Sequence, residues 1–417
     1  MTHSESLYCS FCTKSAAEVK KLVAGPQVYI CDECINLCYG MLASDSKVEK
    51  KDKGLPSPRM IKEHLDNYVI GQDAAKAAIA VAVYNHYKRL DNPVVDDVEL
   101  EKSNILLLGP TGSGKTLLAQ SIARFLDVPF AIADATSLTE AGYVGDDVET
   151  VVARLLQASG QDVEKAQRGI IYLDEIDKKR AKGETGSGVR DVSGEGVQQA
   201  LLKIIEGTEL YVSPTGKKGG GSGEKVKIDT RNILFIVGGA FVGLDKVIQA
   251  ELDKDTSGIG FGANRVGKQE RPLSELHARI EPHHLVRFGL IPEMVGRLPV
   301  VVALDELSED QLINIMTAPR NAVVKQFCKM FELDEIELEF DSDALKSIAR
   351  IAKERKTGAR GLRSVIESRL NKTQFELPDL RKQGITKIIV TENVITNFDD
   401  PIMVSAEDTS EAGGQAE

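Results

Sequence analysis

Gly109-Pro110-Thr111-Gly112-Ser113-Gly114-Lys115-Thr116 stands between the apolar run Ile105-Leu106-Leu107-Leu108 and LLAQSIARFL, a helical pattern that begins at Leu117. Strand, glycine-rich loop and helix in that order form the setting of a phosphate-binding loop. Glycines let the backbone curl so that successive N–H groups face phosphate oxygens. The helix opened near Lys115 turns the positive end of its dipole to the same point. Lys115 is therefore expected to reach the β- and γ-phosphates of a nucleotide, and the Thr116 hydroxyl to hold Mg²⁺. Gly109 through Leu117 would form the cradle. The plain alternative is a glycine turn ahead of an ordinary helix.

Downstream, Gly169 to Asp177 reads GIIYLDEID. Four apolar residues, Ile170 to Leu173, suit a strand buried on both faces of a parallel sheet. Ligands bind such sheets at the C-terminal ends of their strands, where Asp174 and Glu175 fall. Asp174 would hold Mg²⁺, through water, and Glu175 would orient the attacking water. An acidic strand end on its own usually means solvation; following a phosphate-binding loop, it reads as the second half of an ATP site. Two further strands are expected at Pro129–Ala135 and Asn232–Ala240, and the fold class is α/β, a parallel sheet flanked by helices.

The chain has 417 residues, enough for two or three domains, and six cysteines. Its net charge of −11 argues against a nucleic-acid surface over the whole chain. No apolar run approaches the roughly 18 residues of a membrane span, and the start, MTHSESLYCSFC, lacks the regions of a secretion signal. A cytoplasmic location is expected.

Cys9-Ser-Phe-Cys12 and Cys31-Asp-Glu-Cys34 are two CxxC knuckles separated by 18 residues, a zinc-binding spacing. Four thiolates make a closed, structural tetrahedral site. A segment this short cannot bury enough surface alone, so the metal supplies folding energy. A redox pair would want a βαβ setting that is missing. Cys38 and Cys328 read as core thiols.

The expected order of domains is a zinc-binding domain over 1–45, a charged and Pro-containing linker over 46–60, a large α/β domain over 61–303, a mostly helical small domain over 304–398, and a disordered acidic tail over 399–417. Asp146 and Asp147 are expected to cap the helix DVETVVARLLQAS. Just before them, Tyr143 and Val144 sit between glycines. They form either a tight turn with the ring packed down or a mobile loop that presents both outward. Ile259-Gly260-Phe261 lies in SGIGFG and is either locally packed or an anchor for a partner's pocket.

With both halves of the ATP site and the two late arginines in view, the chain resembles the AAA+ ATPases. The zinc knuckles and the segments GYVG, RDVSGEG and IGF make it similar, over all but the acidic tail, to the ClpX family of protein unfoldases. The resemblance implies a homohexameric ring that unfolds protein substrates, some brought by adaptor proteins, and threads them into a ClpP-type peptidase, with ATP, Mg²⁺ and Zn²⁺ as cofactors. It places Val69 and Ile70 at the adenine pocket, Arg297 as a finger completing a neighbour's ATP site, and Arg360 as a sensor linking the small domain to the phosphates. Tyr143, Val144 and Arg190 fall on its pore loops, and Ile259, Gly260 and Phe261 on its peptidase-docking loop. Two places depart from the pattern. The pore-entrance loop reads Lys217-Lys218-Gly219-Gly220, without the histidine of an Arg-Lys-His triplet, which leaves the tag preference in doubt. Gly238-Gly239 stand where many AAA+ chains carry a polar sensor. An ATP-driven remodeller acting without a peptidase is the alternative; a nucleic-acid motor is disfavoured by the charge and by an aromatic candidate pore loop.

Overall fold

The computed structural model describes residues 7–26, 28–45, 54–92, 94–95, 98–139, 146–181, 194–213, 225–256, 275–276 and 279–405. The chain divides into two compact units, Met1–Pro56 and Ser57–Glu417. In the first, an antiparallel hairpin pairs Leu22–Gly25 with Val28–Cys31 and runs directly into the helix Asp32–Asp45. Among its described residues most side chains are exposed, but Cys9 and Cys31 are buried.

The second unit is built on five parallel strands, numbered here in chain order: β1 Ile105–Leu108, β2 Phe130–Asp134, β3 Ile170–Asp174, β4 Leu234–Gly239 and β5 Val300–Ala303. Their spatial order is β5-β1-β4-β3-β2. The two strands that flank β4, β1 and β3, are apolar over four consecutive residues and buried there, as a sheet covered on both faces requires. Helices Lys115–Leu126, Glu149–Ala158 and Glu195–Glu206 supply much of that cover, and Leu106, Leu155, Ile171, Leu201 and Phe235 share one core.

Beyond β5 the chain enters a helical region with its own core, in which Met316, Phe331, Ile348 and Ile366 meet. Ser308 and Gln311 form a reciprocal capping box at its first helix, Glu309–Thr317. At the joint with the sheet, Gln72 Nε2 donates to the Asp305 carbonyl at 2.8 Å, and the Asp305 N–H donates to Gln72 Oε1 at 3.0 Å.

Several expectations need correcting. Asp146 and Asp147 do not cap the following helix. They pair as a short strand with Leu138–Thr139, Asp146 binds Arg154 at 2.6 Å, and the helix Glu149–Ala158 has no side-chain cap. A tail starting at Asp399 is too early, because Ile402–Ser405 forms an antiparallel strand against Ile385–Val390. The linker stops short of residue 60, since a helix begins at Pro58 behind the Ser57 cap. Tyr143, Val144, Arg190, the Lys217–Gly220 segment and Ile259, Gly260 and Phe261 lie outside the described residues.

Candidate nucleotide and zinc sites

β1 ends at Leu108 and the loop turns through Gly109, Gly112 and Gly114, all at positive φ, before Lys115 opens the helix. Lys115 is 8 % exposed, and its ammonium donates to the carbonyls of Gly109 at 2.7 Å and Pro110 at 2.9 Å. Burial pulls its pKa down, the Asp174 carboxylate opposes that, and the Arg360 guanidinium adds to it. Thr116 Oγ1 donates to Asp174 Oδ2 at 3.2 Å, so the two expected Mg²⁺ ligands already touch. Glu175 follows in left-handed backbone at φ 57°, a strained position of the kind found at functional sites, with its side chain exposed.

These groups line one cleft of about 310 Å³, together with Thr111, Gly112 and Arg360. Arg360 reaches it because the helical region is seated directly on the phosphate-binding loop. The Ala359 N–H points at the Gly112 carbonyl at 3.4 Å. A Cβ at Gly112 would lie 2.6 Å from the Thr357 carbonyl oxygen, and one at Gly358 would lie 2.9 Å from the Thr111 oxygen. Only two glycines facing each other allow the backbones so close.

The cleft fits a nucleotide triphosphate with Mg²⁺. Three cations, Lys115, Lys178 and Arg360, line it, and a helix N-terminus and loop N–H groups face it; in the same loop the buried Ser113 hydroxyl has no hydrogen-bond partner. Val69 is buried against the end of the loop, its Cγ1 3.7 Å from where a Gly114 Cβ would stand. Ile70 opens instead onto a neighbouring cleft with Tyr68, Ala318 and Arg320. Arg297 is apart from its own chain's cleft: half-exposed after the helix Pro292–Gly296, it pairs with Glu206 at 2.9 Å. Asp177 and Lys178 also line the cleft. Asp177 is buried, accepts the Ala240 N–H at 3.1 Å and pairs with Lys178 at 3.0 Å. The third acid of LDEID was the available signal for it.

In the N-terminal unit the Sγ atoms of Cys9 and Cys34 are 4.0 Å apart and those of Cys12 and Cys31 3.6 Å, all four thiols lying within 4.8 Å of one another. Zn–S bonds of about 2.3 Å at tetrahedral angles require S···S edges of about 3.8 Å, so the donors fit the ion. The N–H groups of Cys31 and Cys34 point at Cys9 and Cys31 sulfurs at 3.3 Å and 3.4 Å, which favours thiolates. Another group, Glu251, His283 and His284, is already satisfied. His283 and Arg287 both bind the Glu251 carboxylate, and the His284 Nδ1 accepts the Glu281 N–H at 3.0 Å. Cys328 donates to the Leu338 carbonyl at 3.2 Å.

The sheet order, the acidic end of β3 beside the phosphate-binding loop, and a helical lid bringing an arginine to both define an ATPase of the AAA+ class. Family comparison agrees: residues 100–301 match the AAA domain (Cdc48 subfamily), residues 307–379 the C-terminal, D2-small domain of ClpB protein, and residues 7–44 the ClpX C4-type zinc finger. The chain is 51 % identical over 396 residues, 94 % of each protein, to the ATP-dependent Clp protease ATP-binding subunit ClpX of Treponema denticola. It belongs to the ClpX family. It hydrolyses ATP, with Mg²⁺, and carries structural Zn²⁺ on its four N-terminal cysteines.

Proposed function

We propose that this chain is an ATP-driven protein unfoldase and translocase that works as a homohexameric ring and feeds a ClpP-type peptidase. The observation that carries the reading is the seat of the lid on the phosphate-binding loop. It puts Arg360 in one cleft with Lys115, Thr116, Asp174 and Glu175, so that occupancy of the cleft bears on the angle between sheet and lid. Catalysis is then positioning and charge stabilisation. Lys115 and Arg360 face the phosphates, Thr116 and Asp174 hold the Mg²⁺ that neutralises them, and Glu175 aims water. Val69 borders the adenine, and the base extends from there toward the neighbouring cleft that Ile70 lines. Arg297, remote from its own cleft, completes the site of the adjacent subunit.

The work is mechanical. Tyr143, Val144 and Arg190 grip the substrate chain in the pore, and repeated strokes overcome a folded domain's stability of about 5–15 kcal/mol. Ile259, Gly260 and Phe261 dock the peptidase. The sequence holds no GxSxG or HExxH signature, in keeping with peptide cleavage by a partner. Adaptor proteins and tagged proteins are the proposed partners, rather than nucleic acid or membrane, in the cytoplasm; among the described residues no helix is long and apolar enough to cross a membrane.

The test is degradation of a tagged protein by the zinc-loaded chain with ATP and a ClpP-type peptidase. Phe261→Ala should abolish degradation and spare ATP hydrolysis, and Tyr143→Ala should slow translocation. Degradation unaffected by Phe261→Ala would favour remodelling without a peptidase.

A further inference from the structure

Tyr172 lies on β3, two residues before Asp174, and its side chain is wholly buried. Its hydroxyl has no hydrogen-bond partner, a condition that folded proteins rarely leave unexplained. Strand alternation puts Tyr172 and Asp174 on the same face of the sheet. Tyr172 stands opposite Ile236 in register, so the next position of β4 on that face is Gly238. A Cβ at Gly238 would collide with the Tyr172 hydroxyl and lie 2.9 Å from Cζ and 3.0 Å from Cε2. The phenol thus fills the space in which β4 would otherwise present a side chain at the cleft.

Its surroundings are the magnesium-binding pair. A phenol keeps its proton at neutral pH, so the group can donate. Asp174 is the next residue of β3 on that face, and Thr116 is bonded to it.

We infer that Tyr172 is a positioning residue for the ATP site: without a partner in the nucleotide-free chain, its hydroxyl donates to the Asp174 carboxylate as Mg²⁺ seats and holds it there beside the Thr116 hydroxyl. This rests on the reading that Thr116 and Asp174 hold the ion. The glycine of β4 and the tyrosine of β3 act as one unit, the first making room for the hydroxyl of the second. A tyrosine serving only as core filler would need no oxygen here, since its ring already packs.

Tyr172→Phe removes that oxygen alone. Because the hydroxyl is unpartnered within the protein, the nucleotide-free variant should fold and melt as the parent does. The readout is Mg²⁺ titrated into the full-length zinc-loaded chain with a fluorescent non-hydrolysable ATP analogue, which needs no turnover. Loss of a hydrogen bond to a charged group should raise the half-saturating Mg²⁺ concentration about ten-fold, while analogue binding in EDTA stays unchanged. Asp174→Asn is the reference. A midpoint within two-fold of the parent for Tyr172→Phe, beside a large shift for Asp174→Asn, overturns the role of Tyr172 alone. No shift in either variant overturns the assignment of Asp174 as well.

Discussion

A methyl group at Gly358 should uncouple the lid from the ATP site without any change to the sequence of the phosphate-binding loop. Gly358 stands at φ 55° and ψ −146°, a region open in practice only to glycine. Alanine there costs about 1–3 kcal/mol in backbone strain. The new Cβ would also fall 2.9 Å from the Thr111 carbonyl oxygen and 3.2 Å from Gly112 Cα, against an ordinary contact that starts at 3.4 Å. The seat must therefore open by at least 3.4 − 2.9 = 0.5 Å. Arg360, two residues further on, moves with it. Since a misplacement of about 1 Å can lower a rate about a hundred-fold, half of that should lower kcat about ten-fold. Gly384→Ala is the control: its φ is +84°, it lies in the same helical region, and no atom is within 4 Å of its Cβ position. That change carries the backbone penalty without the collision. Steady-state ATP hydrolysis and thermal melts of both variants separate the two effects. If Gly358→Ala turns over ATP like the parent, or if Gly384→Ala loses as much activity, the seat does not couple lid to site.

Three other expectations follow from the same structure. Glu175→Gln should bind ATP normally yet hydrolyse it at least about a hundred-fold more slowly, as measured by phosphate release; near-normal turnover would remove Glu175 from water activation. Stripping zinc, or Cys9→Ser, should expose residues 7–45 to protease while the melt of the ATPase unit stays put, because metal binding to such sites is worth about 10–16 kcal/mol and supplies the folding energy of the small unit. His86 is 2 % exposed, and burial first, then Arg89 and Lys102, lower its pKa from 6.5 to about 3. The unfolded state thus takes up a proton that the folded state refuses. Stability should be lost as pH falls from 6.5 toward 3, by up to roughly 5 kcal/mol from this group, and His86→Leu should shift the acid-unfolding midpoint to lower pH.

Chemistry carried by fixed spacing was legible in the chain. The loop from Gly109 to Thr116, the acids ending β3 and the cysteine knuckles each combine residue types that local physics needs at set offsets, and the structure gathers each set. β5 is absent from the expected strands although Val300-Val301-Val302 is a β-branched run. Asp146 and Asp147 misled because side-chain capping competes with strand pairing, and the partner strand, Leu138–Thr139, gives no local signal at the two aspartates. The lid's seat had no local signal at all. Gly112 reads only as a phosphate-cradle glycine and Gly358 as an ordinary loop glycine until the fold brings their backbones together. Arg360 could accordingly be singled out only by resemblance. Tyr172 read simply as a buried strand residue, because the fate of its hydroxyl depends on Gly238 on another strand.

The account turns on ATP hydrolysis being spent on a folded polypeptide. The direct measurement uses the zinc-loaded full-length chain with Mg²⁺, a ClpP-type peptidase and a native fluorescent protein bearing an unstructured tail, offered as a panel of tail sequences. With ATP, fluorescence should fall for at least one tail, and it should persist with ADP or with Glu175→Gln. Brisk ATP hydrolysis by an assembled ring that leaves the fluorescence of every tailed protein intact would contradict the account.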